Sequence, residues 1–189
     1  MSIDRPRLVV GMSGSSAPQL GIGLLRALHR LGTVETHLVV TRGAVQTLKL
    51  EADTDIGTVA ELADVVHDNT DLAAAISSGS FRTRGMVVIP CSMRSLAAIA
   101  TGNTADLLSR AADVTLKERR RLVLVPRETP LNLIHIRNME TVTLAGATVL
   151  PPMPAFYHRP RSIDDLVAHI AGKVLDQFEI EHDLFTRWS

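Results

Sequence analysis

Five short apolar runs punctuate the chain: Leu8-Val9-Val10, His37-Leu38-Val39-Val40, Met86-Val87-Val88-Ile89, Leu122-Val123-Leu124-Val125 and Thr148-Val149-Leu150. Each is continuous rather than alternating, the pattern of a strand buried on both faces. Between the runs, amphipathic stretches near 18–31, 43–52, 57–65, 71–77, 93–101, 104–120, 130–144 and 163–178 carry apolar positions at helical spacing. Strands alternating with helices in this way predict an open α/β sheet, mostly parallel, with helices on both faces.

Local signals set the boundaries. Thr129-Pro130 reads as an N-cap followed by proline at the first helical position. Ser162-Ile163-Asp164-Asp165 reads as a capping box opening the last helix. Pro151-Pro152-Met153-Pro154 is a stiff, non-helical connector, because each proline fixes φ and removes a donor. The 189 residues suit a single domain, 1–189, whose last segment, 181–189, is expected to dock at the active site or on a neighbouring subunit.

Composition narrows the class. The chain is 46% hydrophobic, enough for a core without metal or disulfide staples. Twenty basic and twenty acidic residues cancel, which argues against nucleic acid and against a polybasic membrane anchor. One cysteine, Cys91, excludes an intrachain disulfide and fits a reducing compartment. No apolar stretch reaches the roughly 18 residues of a membrane helix, so a cytoplasmic location is expected. Five of the six aromatic residues follow residue 155, where they could cover the core or a subunit contact, or form an interface or ligand wall.

In an open parallel sheet, ligands bind beyond the carboxyl ends of the strands, and four polar clusters are candidates there. Gly11-Met12-Ser13-Gly14-Ser15-Ser16-Ala17 joins a strand to a helix, either as a phosphate site, since glycine permits close backbone approach and the helix N-terminus suits phosphate, or as an ordinary tight turn. It is neither GxGxxG nor a P-loop. Pro90-Cys91-Ser92-Met93-Arg94-Ser95 repeats that arrangement, with Cys91 read as a small packing residue. Pro126-Arg127-Glu128-Thr129-Pro130 places opposite charges over one crevice, for acid–base work or as a structural ion pair. In Lys117-Glu118-Arg119-Arg120-Arg121, the three arginines read as a solvated helix end. The seven histidines do not fall at metal-ligand spacing, so no metal site is expected. The absence of G-x-S-x-G argues against a serine hydrolase.

Taken together, the motifs are more specific. The segment from Ser77 to Pro130 contains PCSM, RAADVxLKERR and LVLVPRE; IHIRNME, GATVLPPMPAFYHRP and DQFEIEHD follow. Nearly end to end, the chain resembles the UbiX-type flavin prenyltransferases, a family also named for its link to phenolic-acid decarboxylases. The resemblance implies a flavodoxin-like α/β fold and a large homo-oligomer, typically a dodecamer in the family. It implies binding of FMN and dimethylallyl phosphate, and transfer of the dimethylallyl group to N5 and C6 of reduced FMN without metal. The product would serve a UbiD-type aromatic-acid decarboxylase.

The same resemblance assigns residues. Ser13, Gly14, Ser15, Ser16, Thr41, Ser92, Met93, Arg94, Ser95 and Arg127 would hold FMN. Arg110, Lys117, Tyr157 and Lys173 would surround the phosphate of the prenyl donor, and Trp188 would close the site. Glu128 would act as acid–base, Ser16 and Glu51 would help move protons at the flavin, and Lys117 would act on the departing phosphate. Two departures stand out: Ala17 replaces a glycine of the family's first loop, and Lys173 replaces an arginine, keeping the charge but losing the bidentate fork. The alternatives are an FMN-binding accessory protein of a decarboxylase, an aromatic-acid decarboxylase acting alone, and a cysteine-decarboxylating flavoprotein. The last is disfavoured because PCSM and PPMPAFY stand in place of that group's PASANT and PxMNxxMW motifs.

Overall fold

The structure is a computed structural model that describes residues 5–188; residues 1–4 and Ser189, the last of the C-terminal segment, lie outside it. Six strands form one parallel sheet: β1 (Arg7–Met12), β2 (Glu35–Val40), β3 (Val65–His67), β4 (Gly85–Cys91), β5 (Arg121–Pro126) and β6 (Thr148–Val149), in the order β3-β2-β1-β4-β5-β6. Seven helices accompany them: α1 (Gln19–Leu31), α2 (Arg42–Glu51), α3 (Ile56–Ala60), α4 (Met93–Thr101), α5 (Leu107–Lys117), α6 (Leu133–Leu144) and α7 (Ile163–Gln177). Without the short edge strand β3, the remaining order is that of flavodoxin-like sheets, which reverses between β1 and β4.

Strand residues feed two cores in alternation. Leu8, Val10, Val87, Ile89, Val123 and Val125 pack with α1 and α7, while Val9, Met86, Val88, Leu122 and Leu124 pack with α4 and α5. Burial on both faces is why these strands read as unbroken apolar runs.

The local expectations fared unevenly. The Ser162 capping box is present, its hydroxyl accepting from the Asp165 N–H. The helix expected near 130 instead begins at Leu133, capped by Asn132, so Thr129 and Pro130 stay in the preceding turn. The stretch near 57–65 is the short α3, and Val65 already belongs to β3, a half-exposed edge strand too short for a periodic signal. The stretch near 71–77 supplies only a 3-10 turn at Ala75–Ser77. Arg120 is not a solvated helix end: its guanidinium donates to the carbonyls of Gly79 and Phe81 at 2.6 and 2.7 Å.

Candidate functional site

The reversal between β1 and β4 brings two hydroxyl-rich turns together. Ser13 is fully buried; its oxygen accepts the Ser92 N–H at 2.8 Å, and its backbone N–H donates to the Pro90 carbonyl at 3.1 Å. Ser92 caps α4 by accepting from the Ser95 N–H and lies within 3.2 Å of the Ser95 hydroxyl. Ser13 therefore ties the two turns together, while Ser92 and Ser95 shape the start of α4. Met93 is half-buried against the α4–α5 core, and exposed Arg94 shares a 270 Å³ cavity with Ser95 and Asp106.

A third turn closes from the other side. Thr41 caps α2 by accepting from the Ala44 N–H, and a Cβ on Gly14 would sit 2.8 Å from the backbone carbons of Gly43. Only a glycine at 14 lets the first loop lie against the N-terminus of α2. Sequence reasoning found Gly14 and Thr41 but missed Gly43, whose sole signal is a small residue two places after a helix cap. Ser15 reaches across to β5, donating to the Arg127 carbonyl at 2.7 Å.

Glu51, the last residue of α2, meets the same loop. Its Oε2 accepts from the Ser16 hydroxyl at 2.8 Å and from the Ala17 N–H at 2.9 Å. Ala17 has φ 68°, a left-handed conformation that favours glycine. Arg127 is half-buried and Glu128 exposed at the end of β5, and among the described residues neither has an ion-pair partner. The structural ion pair considered for these two residues is therefore not formed. Cys91 is fully buried, and burial pushes its thiol up to about 12, which suits packing rather than nucleophilic chemistry.

The remaining candidates lie elsewhere. Arg110, in the first turn of α5, is held by Asp113 at 2.7 Å and by the Ser77 carbonyl at 3.2 Å. Lys117 ends α5 beside Glu118, just before β5 begins, so it sits at the amino edge of the sheet, opposite the loops. Tyr157, Lys173 and Trp188 belong to a third group, built on α7 and the C-terminal segment. Gly172 leaves the room: a Cβ there would lie 2.5 Å from the Phe185 ring and 2.7 Å from His182. Asp176 receives Arg187 at 2.7 Å, His182 at 3.2 Å and Lys173 at 3.4 Å. Burial opposes its ionisation, but Arg187 and Lys173 prevail and hold its carboxyl below 3.8. Trp188 meets the Tyr157 ring edge-on, centroids 5.7 Å apart. Asp176, His182 and Arg187 were not singled out from sequence, since nothing local marks them as partners.

An open cavity of about 890 Å³ lies between α1, the end of α2 and α7, sharing Glu51 with the first loop. It lacks the serine and glycine N–H groups of the three turns, so the phosphate-suited site is not there. Among the described residues no group of three or more His, Cys, Asp or Glu is placed to hold a metal, and no helix is long and apolar enough to cross a membrane.

A parallel sheet with two capped helix N-termini and a glycine-bearing loop at its switch point defines a nucleotide-binding type of α/β protein. A family model described as Flavoprotein matches residues 2–175. Flavin prenyltransferase UbiX of Escherichia coli is 53% identical over 184 residues, covering 96% of this chain and 97% of that protein. The crystal structure of AnUbiX in complex with FMN and dimethylallyl pyrophosphate is 55% identical, with TM-score 0.96 and 98% of each chain covered. That of a dodecameric FMN-dependent UbiX-like decarboxylase from Escherichia coli is 52% identical, with TM-score 0.95, covering 97% of this chain and 99% of that one. The chain belongs to the flavoprotein family, among its UbiX-like flavin prenyltransferases.

Proposed function

We propose that this protein transfers the dimethylallyl group of dimethylallyl phosphate to reduced FMN, making a prenylated flavin for a UbiD-type decarboxylase. The observation that carries the reading is the set of three turns around Gly14, set in a fold and sequence 55% identical to a protein crystallised with FMN and a dimethylallyl donor. The cradle fits FMN: Gly14 and Gly43 let the first loop and the start of α2 pack backbone against backbone, and the N-termini of α2 and α4 suit a phosphate. Ser16, Thr41, Ser92, Ser95 and Arg127 line that edge, with Arg94 beside it. Reduced FMN, when bound, supplies the nucleophilic nitrogen and carbon that accept the prenyl group.

The chain's own residues do the rest. The allylic C–O bond breaks with its electron pair leaving on phosphate, so cations must receive that charge; Lys173, Lys117 and Arg110 are the cations, and Tyr157 adds a hydroxyl donor. Glu128, without a counter-ion among the described residues, would exchange a proton with the phosphate, and the Ser16–Glu51 pair would hold one beside the flavin. The faces of Tyr157 and Trp188 suit an allylic cation. Lys117 at the amino edge and Tyr157 beside α7 favour a site shared between copies of the chain. Exposed Leu133, Ile134, Ile136 and Leu144 on α6, with Met153 and Phe156, supply apolar surface for such an assembly.

Anaerobic incubation with reduced FMN and dimethylallyl phosphate, followed by mass measurement of the flavin, tests the reading. A gain of one C5 prenyl unit is expected. Unmodified flavin, in protein shown to bind FMN, would favour the accessory role instead.

A further inference from the structure

Behind Tyr157 lies a side chain that the proposed chemistry does not yet use. His169 projects from α7, one turn before Lys173, and is only 5% exposed. Its Nε2 is 3.2 Å from the Tyr157 hydroxyl oxygen, whereas its buried Nδ1 has no hydrogen-bond partner among the described residues. The ring is held in place: it stacks on His158 with centroids 4.8 Å and planes 7° apart, and tilts against Phe185 at 4.7 Å.

Those contacts decide where the imidazole proton sits. Burial, with repulsion from His158 and Lys173, holds His169 below 6.5 despite Asp176, so the ring is neutral at pH 7 and carries one N–H. Placing that hydrogen on Nδ1 would bury an unpaired donor at a cost of about 1–3 kcal/mol. A bare acceptor nitrogen there is better tolerated, as unpaired acceptors are generally less rare than unpaired donors. The hydrogen therefore belongs on Nε2, aimed at Tyr157. The tyrosine oxygen accepts it, and the tyrosine's own O–H must point elsewhere. The space beside it is a cavity of about 220 Å³ lined by Tyr157, His158, Thr186, Arg187 and Trp188. We infer that His169 is a positioning residue that fixes Tyr157 as an outward hydrogen-bond donor to the phosphate of the prenyl donor. This rests on the prenyl-transfer reading and adds the group that sets the direction of the Tyr157 hydrogen bond.

Nitrogen NMR of the full-length protein labelled at histidine reads the tautomer directly. Nε2 protonated and Nδ1 bare is expected at neutral pH; a hydrogen on Nδ1 overturns the assignment whatever the activity. In turnover, His169→Phe keeps an aromatic ring but removes the donor, and should raise KM for dimethylallyl phosphate about tenfold, roughly one hydrogen bond, with FMN affinity unchanged. His169→Gln, which can present an amide N–H near the Nε2 position, should restore most of that loss. In a Tyr157→Phe background the His169→Phe change should add nothing. Additive losses, or an unchanged donor KM in active protein, would overturn the role while leaving the prenyl-transfer reading intact. If the unmodified protein makes no prenylated flavin, both fall together.

Discussion

The hydroxyl of Ser16 lies 2.8 Å from a carboxylate oxygen of Glu51, joining the first loop to the end of a helix 35 residues later. The same oxygen takes the Ala17 N–H, so one carboxylate fixes both the position of the loop and the direction of the Ser16 hydrogen. Replacing Glu51 by Ala should cut product formation at least about tenfold, if it removes one charge-assisted hydrogen bond from the working arrangement. FMN titration of the same variant should show a smaller change. Equal loss of binding and turnover would make Glu51 only a loop anchor.

Gly14 and Gly43 offer a graded test of the flavin cradle. A Cβ on Gly14 meets the Gly43 backbone at 2.8 Å, whereas one on Gly43 meets the Gly14 Cα at 3.1 Å. Gly14→Ala should therefore weaken FMN binding by about tenfold or more, and Gly43→Ala less, as flavin fluorescence quenching would show. The reverse order would place the flavin away from this contact.

Ala17 sits at φ 68°, where a Cβ costs about 1–2 kcal/mol. Ala17→Gly should raise thermal stability modestly, since the added freedom of glycine in the unfolded chain offsets part of the relief. An unfolding midpoint at or below that of the unchanged protein would count against strain at this loop.

Cys91 is fully buried with its thiol near 12, so at pH 7 on the order of one molecule in 100,000 carries the thiolate. Alkylation should wait on unfolding, and Cys91→Ala should keep prenyl transfer at a cost of about 1 kcal/mol in stability. Rapid labelling of folded protein, followed by mass spectrometry, would contradict the buried placement.

Asp176 anchors the C-terminal segment through Arg187 and His182. Its folded value lies below 3.8, so its contribution is complete above that value and is lost only as pH falls through the lower one. Asp176→Asn should loosen the segment at neutral pH, at about 1–3 kcal/mol. Trp188 is the only tryptophan, so its fluorescence reports the change directly. An unaltered emission spectrum would mean that His182 and Phe185 hold the segment without the carboxylate.

Much of this protein was legible locally. Strands β1, β4 and β5 announced themselves because burial on both faces fills the run with apolar residues; β2 did so through Leu38-Val39-Val40 despite the buried polar Thr36 and His37, and β6, a half-buried edge strand, through Val149 and the Leu150 that follows it. The Ser162 cap was legible because donor and acceptor lie three residues apart. β3 was not, since three residues on an open edge carry no period, and Asn132 rather than Thr129 won the cap of α6 although both are capable residues. The hydroxyl and glycine turns could be read as phosphate-suited, and the roles proposed for them come from the family resemblance. Only the tertiary structure decided that Ser13 joins Ser92, that Ser16 meets Glu51, that His169 stands behind Tyr157, and that Lys117 lies at the far edge. A sequence fixes periodicity, caps and turns because those depend on residues a few places apart. Contacts across 35 or 79 positions depend on strand order and helix packing, which the whole core settles at once.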